Sequence, residues 1–141
     1  MVFPTVRQQT QQVAFTAYAD EDERYEYSEK IQFDGVITNI GGHFDNSTTF
    51  TCPVDGLYYF TFHIMGRWGI SAEVTLWVDG TRVVSAWADV YGEYHNPQAS
   101  NSALVQCSAG QDVYLEAYDW CEVSSHSYNL STFSGFLVSE N

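Results

Sequence analysis

No stretch of this chain carries an apolar stripe with helical period, and that limits its folding options more than any other feature. The best helical candidate, Asp20 to Lys30 (DEDERYEYSEK), has acids in its first half but no apolar residues at i, i+3 and i+4, and reads as a solvated acidic loop. Strand signals fill the rest. Val13–Ala17, Ile31–Ile37, Thr48–Cys52, Leu57–Ile64, Glu73–Val78, Thr81–Trp87, Ala103–Cys107, Asp112–Tyr118 and Phe133–Val138 are short, apolar or β-branched runs. Turn chemistry separates them: Pro53-Val54-Asp55-Gly56, Ser108 to Gln111, and Asp79-Gly80, which signals a type I′ hairpin. Eight or more short strands spaced roughly 8–12 residues apart call for a sandwich, jelly roll or barrel. No linker or repeat divides the chain, so residues 13–141 read as one domain behind an N-terminal extension, residues 1–12.

One strand implies more than its own burial. In LYYFTFHI, period two sends Tyr58, Phe60 and Phe62 to one side and Leu57, Tyr59, Thr61 and His63 to the other. A strand buried on one face alternates apolar with plainly polar residues. Here both sides carry apolar bulk. In the last strand Phe133, Gly135 and Leu137 oppose Ser134, Phe136 and Val138, with the same result. One face fills a core and the other meets something else, most simply another copy of the chain. The plainer alternative is that tyrosine tolerates water at its hydroxyl tip. The candidate interface set is Tyr58, Tyr59, Phe60, Phe62, Phe133, Phe136 and Leu137, with Tyr59 on the side away from the all-aromatic one.

Charge narrows the partners. Eighteen acids against five bases give a net charge of −13, which repels phosphate backbones and anionic bilayers. Nucleic acid is excluded as a partner, and no apolar run is long enough for membrane insertion by a helix. The start, MVFPTVRQQTQQ, has no signal-peptide layout. Read literally, the chain is intracellular. A secreted chain trimmed of its leader and restarted at Met1 reads the same way, and the other features favour that extracellular reading. The cysteines, Cys52, Cys107 and Cys121, are odd in number and lack zinc spacing. They could be all reduced, could form one disulfide (Cys107–Cys121) beside a free thiol, or could link chains. Cys52 lies in a strand and reads as a buried thiol.

The segment FDGVITNIGGHFD, residues 33–45, invites a catalytic or metal reading through Asp34, Asp45 and His43. It lacks a nucleophile, an orienting partner and fixed metal spacing. Asp34 and Asp45 are expected to accept backbone N–H bonds in turns, with Gly41 and Gly42 supplying unusual backbone angles. No G-x-S-x-G elbow occurs, the four histidines are scattered, and the acids at Asp20–Glu23 are adjacent in sequence rather than a pair set to face across a cleft. The chain reads as a non-enzyme with no catalytic residues.

The blocks FDGVITNIGGHFD, FTCPVDGLYYFTFH, ASNSALV and STFSGFLV, together with VAFTA at the start, resemble the globular domain of the complement C1q family from about Val13 to Val138. The resemblance implies an all-β, two-sheet antiparallel jelly-roll sandwich of C1q/TNF type. It also implies trimeric assembly and a secreted, lectin-like recognition module for microbial or cell-surface ligands in innate immunity. Family ligands include carbohydrate, lipid and protein; the alternative is a structural or signalling head that binds a protein receptor. The family's usual collagen-like stalk would show as a Gly-X-Y repeat, and none occurs in this sequence, which leaves open a stalkless protein or a domain excised from a longer one. Loops on a rigid sandwich carry binding residues, which singles out Arg67, Trp68, Tyr91, Glu93, Tyr94, His95 and Trp120. No cofactor is required. Some family members bind calcium through acids in the loop at 89–97; Asp89 falls on one such position, and Pro97, which has no ligating side chain, on the second. The sequons at Asn46 and Asn129 are weak glycosylation candidates.

Overall fold

The computed structural model describes residues 11–66, 70–89, 96–118, 121–123 and 129–141. Its elements are β1 (Ala14–Tyr18), β2 (Glu23–Tyr25), β3 (Gly35–Ile40), β4 (Thr49–Thr51), β5 (Gly56–Met65), β6 (Ala72–Val78), β7 (Thr81–Ala88), β8 (Gln98–Cys107), β9 (Asp112–Ala117), β10 (Cys121–Val123) and β11 (Thr132–Glu140). A five-stranded sheet, β3-β1-β11-β5-β8, faces a four-stranded one, β4-β9-β6-β7, and β10-β2 forms a small pair. All pairings are antiparallel. The result is the expected two-sheet antiparallel sandwich, with no helix among the described residues.

Strand alternation builds the core. In β5, Tyr58, Phe60, Phe62 and Ile64 point inward and are fully buried. They meet Phe15 from β1, Phe133 from β11, and Phe33, Phe44 and Phe50. Phe15 makes the closest ring contacts: its ring lies 5.0 Å from Phe44, 4.9 Å from Phe50 and 4.9 Å from Phe133. The opposite sheet contributes Val74, Leu76, Val113 and Leu115, all buried. Asn101 Nδ2 donates to the Ser85 carbonyl at 2.9 Å, joining β8 to β7 at the side where the sheets meet.

The turns follow the expected chemistry. Gly41 and Gly42 have φ of 91° and 72°, and Asp79 and Gly80 have φ of 45° and 79°, as a type I′ turn requires. Asp45 Oδ1 accepts backbone N–H bonds from Ser47, Thr48 and Thr49 at 2.9–3.0 Å.

Three expectations are corrected. Asp34 is exposed and accepts no backbone bond of the Asp45 kind. The run 31–34 is not strand; β3 starts at Gly35. The segment 20–30 is not simply a solvated loop, for it contains β2. There Tyr25 is buried, and its hydroxyl accepts the Gln32 N–H at 2.9 Å. Of the alternatives open for the cysteines, Cys107 takes the one with no disulfide. Its free, buried thiol hydrogen-bonds instead to that of Cys52. This contact, and after it burial, push the Cys52 thiol up, so it stays protonated.

The strand ends sort into two poles. Gly56 pairs with both Glu140 and Cys107, and Ala14 pairs with Ile40 and Phe136. At the other pole Met65 pairs with Gln98, Ala72 with Ala88, and Gly66 donates to the Pro97 carbonyl at 2.7 Å.

Candidate self-association face and loop pole

Register lays two rows across the outer side of the five-stranded sheet. Ile40, Ala14, Phe136, Tyr59 and Leu104 stand side by side, one from each strand. Beside them run Thr38, Thr16, Ser134, Thr61 and Ser102. The first row is apolar and open to solvent: Ile40 is 45% exposed, Phe136 45% and Leu104 63%. The Tyr59 and Phe136 rings pack at 5.6 Å. The second row is entirely small hydroxyls, with Thr16 Oγ1 and Ser134 Oγ sharing a hydrogen bond of 2.9 Å. A groove of about 530 Å³ follows both rows. A contiguous apolar strip on a domain with so complete a core is the signature of an interface.

The candidate interface residues therefore divide. Tyr58, Phe60, Phe62, Phe133 and Leu137 lie inside the sandwich, no more than 4% exposed. They are out of reach of a second chain and do not belong to an interface. Tyr59 and Phe136 point outward. Ile40 and Leu104 join them, although sequence reasoning does not single them out. Their signal is register: each becomes part of the strip only once its strand is aligned with β5 or β1.

The outer side of the four-stranded sheet has a different chemistry. Its rows carry Trp87, Glu73 and Tyr118, then Ser85, Thr75 and Glu116, then Arg82, Trp77 and Tyr114. The segment 28–31 runs along β9 beyond β4, held by bonds from Ser28 N–H to the Ala117 carbonyl and from Ile31 N–H to the Leu115 carbonyl, both 2.8 Å. That brings Tyr27, Ser28 and Lys30 onto the same face. Lys30 Nζ lies 4.2 Å from the Tyr114 ring centre, and burial pushes the Tyr114 hydroxyl above its ordinary pKa.

Of the loop candidates, Arg67, Trp68, Tyr91, Glu93, Tyr94, His95 and Trp120 lie outside the described residues. The strand ends flanking their loops converge at one pole. Gly66 bridges Val123 and bonds to Pro97, and the Tyr118 N–H reaches the Glu73 carbonyl at 3.0 Å. Asp89 is exposed at this pole, where the Ser71 hydroxyl donates to its Oδ1 at 3.1 Å. Among the described residues no group of three or more His, Cys, Asp or Glu could hold a metal ion. Pro97 is buried with its carbonyl spent on Gly66. Among the described residues Asp89 has no second acidic ligand beside it, and the rest of its loop lies outside them. Asn46 and Asn129 are exposed in left-handed turns, with φ of 63° and 53°.

A family model described as the C1q domain matches residues 14–138. Over 131 residues the chain is 31% identical to the B-type polypeptide of the human complement C1q subcomponent, covering 92% of this chain and 51% of that protein. The chain thus spans about half the length of this curated relative. Among solved structures, the globular domain of zebrafish complement 1qA protein matches with a TM-score of 0.73 at 22% identity, over 92% of this chain and 99% of that one. Murine APRIL matches with a TM-score of 0.73 at 4% identity, over 91% and 100%. At such identities the two structures speak to the jelly-roll fold alone. The family model covers every strand of both large sheets but for the last residues of β11, and the chain belongs to the C1q domain family.

Proposed function

We propose that this chain is a non-enzymatic recognition head: a secreted homotrimer that binds ligands on microbial or altered cell surfaces. The observation that carries the reading is the five-residue apolar row across one sheet. Ile40, Phe136 and Leu104 are large side chains in water with a complete core behind them, and a second copy of the chain is the simplest cover. Packing of that sheet around a threefold axis would bury the strip and leave the loop pole and the other sheet open. Similarity to a human complement protein supports innate recognition as the role. Three weak sites on one body gain avidity without new contacts, which suits a surface dense in repeated ligands.

Light scattering at micromolar concentration tests the assembly. A particle of three times 15.9 kDa is expected, and a monodisperse monomer refutes the assembly and its avidity. A screen of the assembled protein against glycan, lipid and receptor arrays then tests recognition. Binding confined to a single protein receptor would replace the surface-recognition reading with a signalling head.

A further inference from the structure

We infer that the outer face of the four-stranded sheet is a saccharide site for a neutral pyranose, with Tyr27 and Tyr118 as its aromatic contacts and Arg82 and Glu116 as its hydroxyl partners. The inference rests on the recognition reading above but not on the trimer.

The rings come first. Tyr27 and Tyr118 meet edge to face at 6.3 Å and 75°, and are 69% and 42% exposed. Neither is needed to close the core. The face of an aromatic ring is the negative end of its quadrupole, and the C–H side of a pyranose presents hydrogens to it. The polar partners stand around these rings. The Arg82 guanidinium lies 5.4 Å from the centres of both the Trp77 and the Tyr118 rings. It is held by aromatic faces, and among the described residues no carboxylate pairs with it. Its rigid fork of N–H donors therefore remains free for a ligand's oxygens. Opposite in character is Glu116, whose Oε1 accepts the Ser28 hydroxyl at 3.2 Å, leaving Oε2 to accept from a ligand hydroxyl.

Between these groups lies a recess of about 70 Å³. Water occupies roughly 30 Å³ per molecule in the liquid, so the recess admits a hydroxymethyl or acetamido arm but not a ring. The ring would stay outside, stacked on one tyrosine and flanked by the other, since the two rings stand 75° apart. Donor and acceptor together match a hydroxylated ligand, which offers both. A carboxylated sugar would face Glu116 and a chain of net charge −13. The recess sets aromatic faces beside a donor and an acceptor and is lined by no Leu, Ile or Val, whereas the opposite sheet supplies an exposed apolar row suited to a second protein surface. A sugar therefore fits this face better than a protein partner does.

A dissociation constant on the order of 1 mM per site suits so small a ligand. The test is nuclear magnetic resonance titration of the intact protein, following the Trp77 indole N–H. The probes are the methyl glycosides of glucose, galactose, mannose and N-acetylglucosamine, with 3′-sialyllactose as the acidic comparison. Saturable shifts with at least one neutral glycoside are expected, weakened at least tenfold in both Arg82→Gln and Tyr118→Ala. Thermal melting and light scattering of both variants should match the wild type. Silence with every neutral glycoside, binding that survives both variants, or tighter binding of sialyllactose overturns the inference. The two proposals fail separately: a monomer that binds sugar refutes only the assembly, and a trimer that binds none refutes only this site.

Discussion

Gly135 sits where no side chain fits. A Cβ there would lie 2.5 Å from Phe60 Cδ1 and 2.8 Å from Phe15 Cε1, two rings of the central aromatic cluster. Gly135→Ala should cost about 1–3 kcal/mol through overpacking, read as a lower urea midpoint at unchanged slope. Tyr58 makes a different point. Its hydroxyl donates to the Val54 carbonyl at 2.7 Å and accepts the Val54 N–H at 3.3 Å. Burial pushes its pKa up from 10 to about 12. The unfolded chain therefore ionises first, and stability is intact below pH 10 and is lost as pH rises toward about 12. The loss is on the order of 2 kcal/mol. Tyr58→Phe should lose about 1 kcal/mol at neutral pH for the missing hydrogen bond and show a flatter alkaline decline. Denaturant titrations at several pH values decide both.

At the scale of elements, pattern tells most where it is long. The alternation in β5 is plain in LYYFTFHI because ten residues repeat it, and the hairpin between β6 and β7 is plain because Asp-Gly tolerates the positive φ that the turn needs. The pair β2 and β10 is invisible in the sequence. Each has three residues, too few for a period, and the acids around Tyr25 mask the one side chain that is buried. The same brevity has a dynamic consequence. Three paired residues at the margin offer little cooperative protection, whereas β5 is paired along its length on both sides. Amide hydrogen exchange should reach β2 and β10 by local opening, well before Tyr58 to Phe62; equal protection of the two regions would contradict this. The candidate ligand-binding loops stand out by polar aromatic composition alone, and no period fixes where such side chains point.

For the molecule as a whole, inside and outside substitutions should separate. Phe60→Ala empties the core and should cost about 3–5 kcal/mol of folding stability. Leu104→Asp alters an outward position on β8, 63% exposed, and should leave the fold intact. It should nonetheless dissociate the proposed trimer, because threefold symmetry would plant the charge at every contact; Tyr59→Ala should act in the same direction more mildly. Light scattering beside circular dichroism distinguishes loss of assembly from loss of fold. Copies that each carry −13 also repel one another, so the assembled fraction should rise with added salt as the repulsion is screened; a fall would point to attraction between unlike charges at the contact.

The two poles also set a rule for handling the protein. β1 leaves its sheet beside the last strand, and Asn141 donates to the Asp55 carbonyl at 3.0 Å, at the pole away from the loops. A dye, bead or sensor chip coupled through either end of the domain therefore leaves the opposite pole, where the flanking strand ends gather, facing away from the support. Coupling through Lys30 would instead pin the four-stranded sheet against the support. Comparing a ligand's response on chips prepared in these two ways reports which surface it uses before any residue is changed.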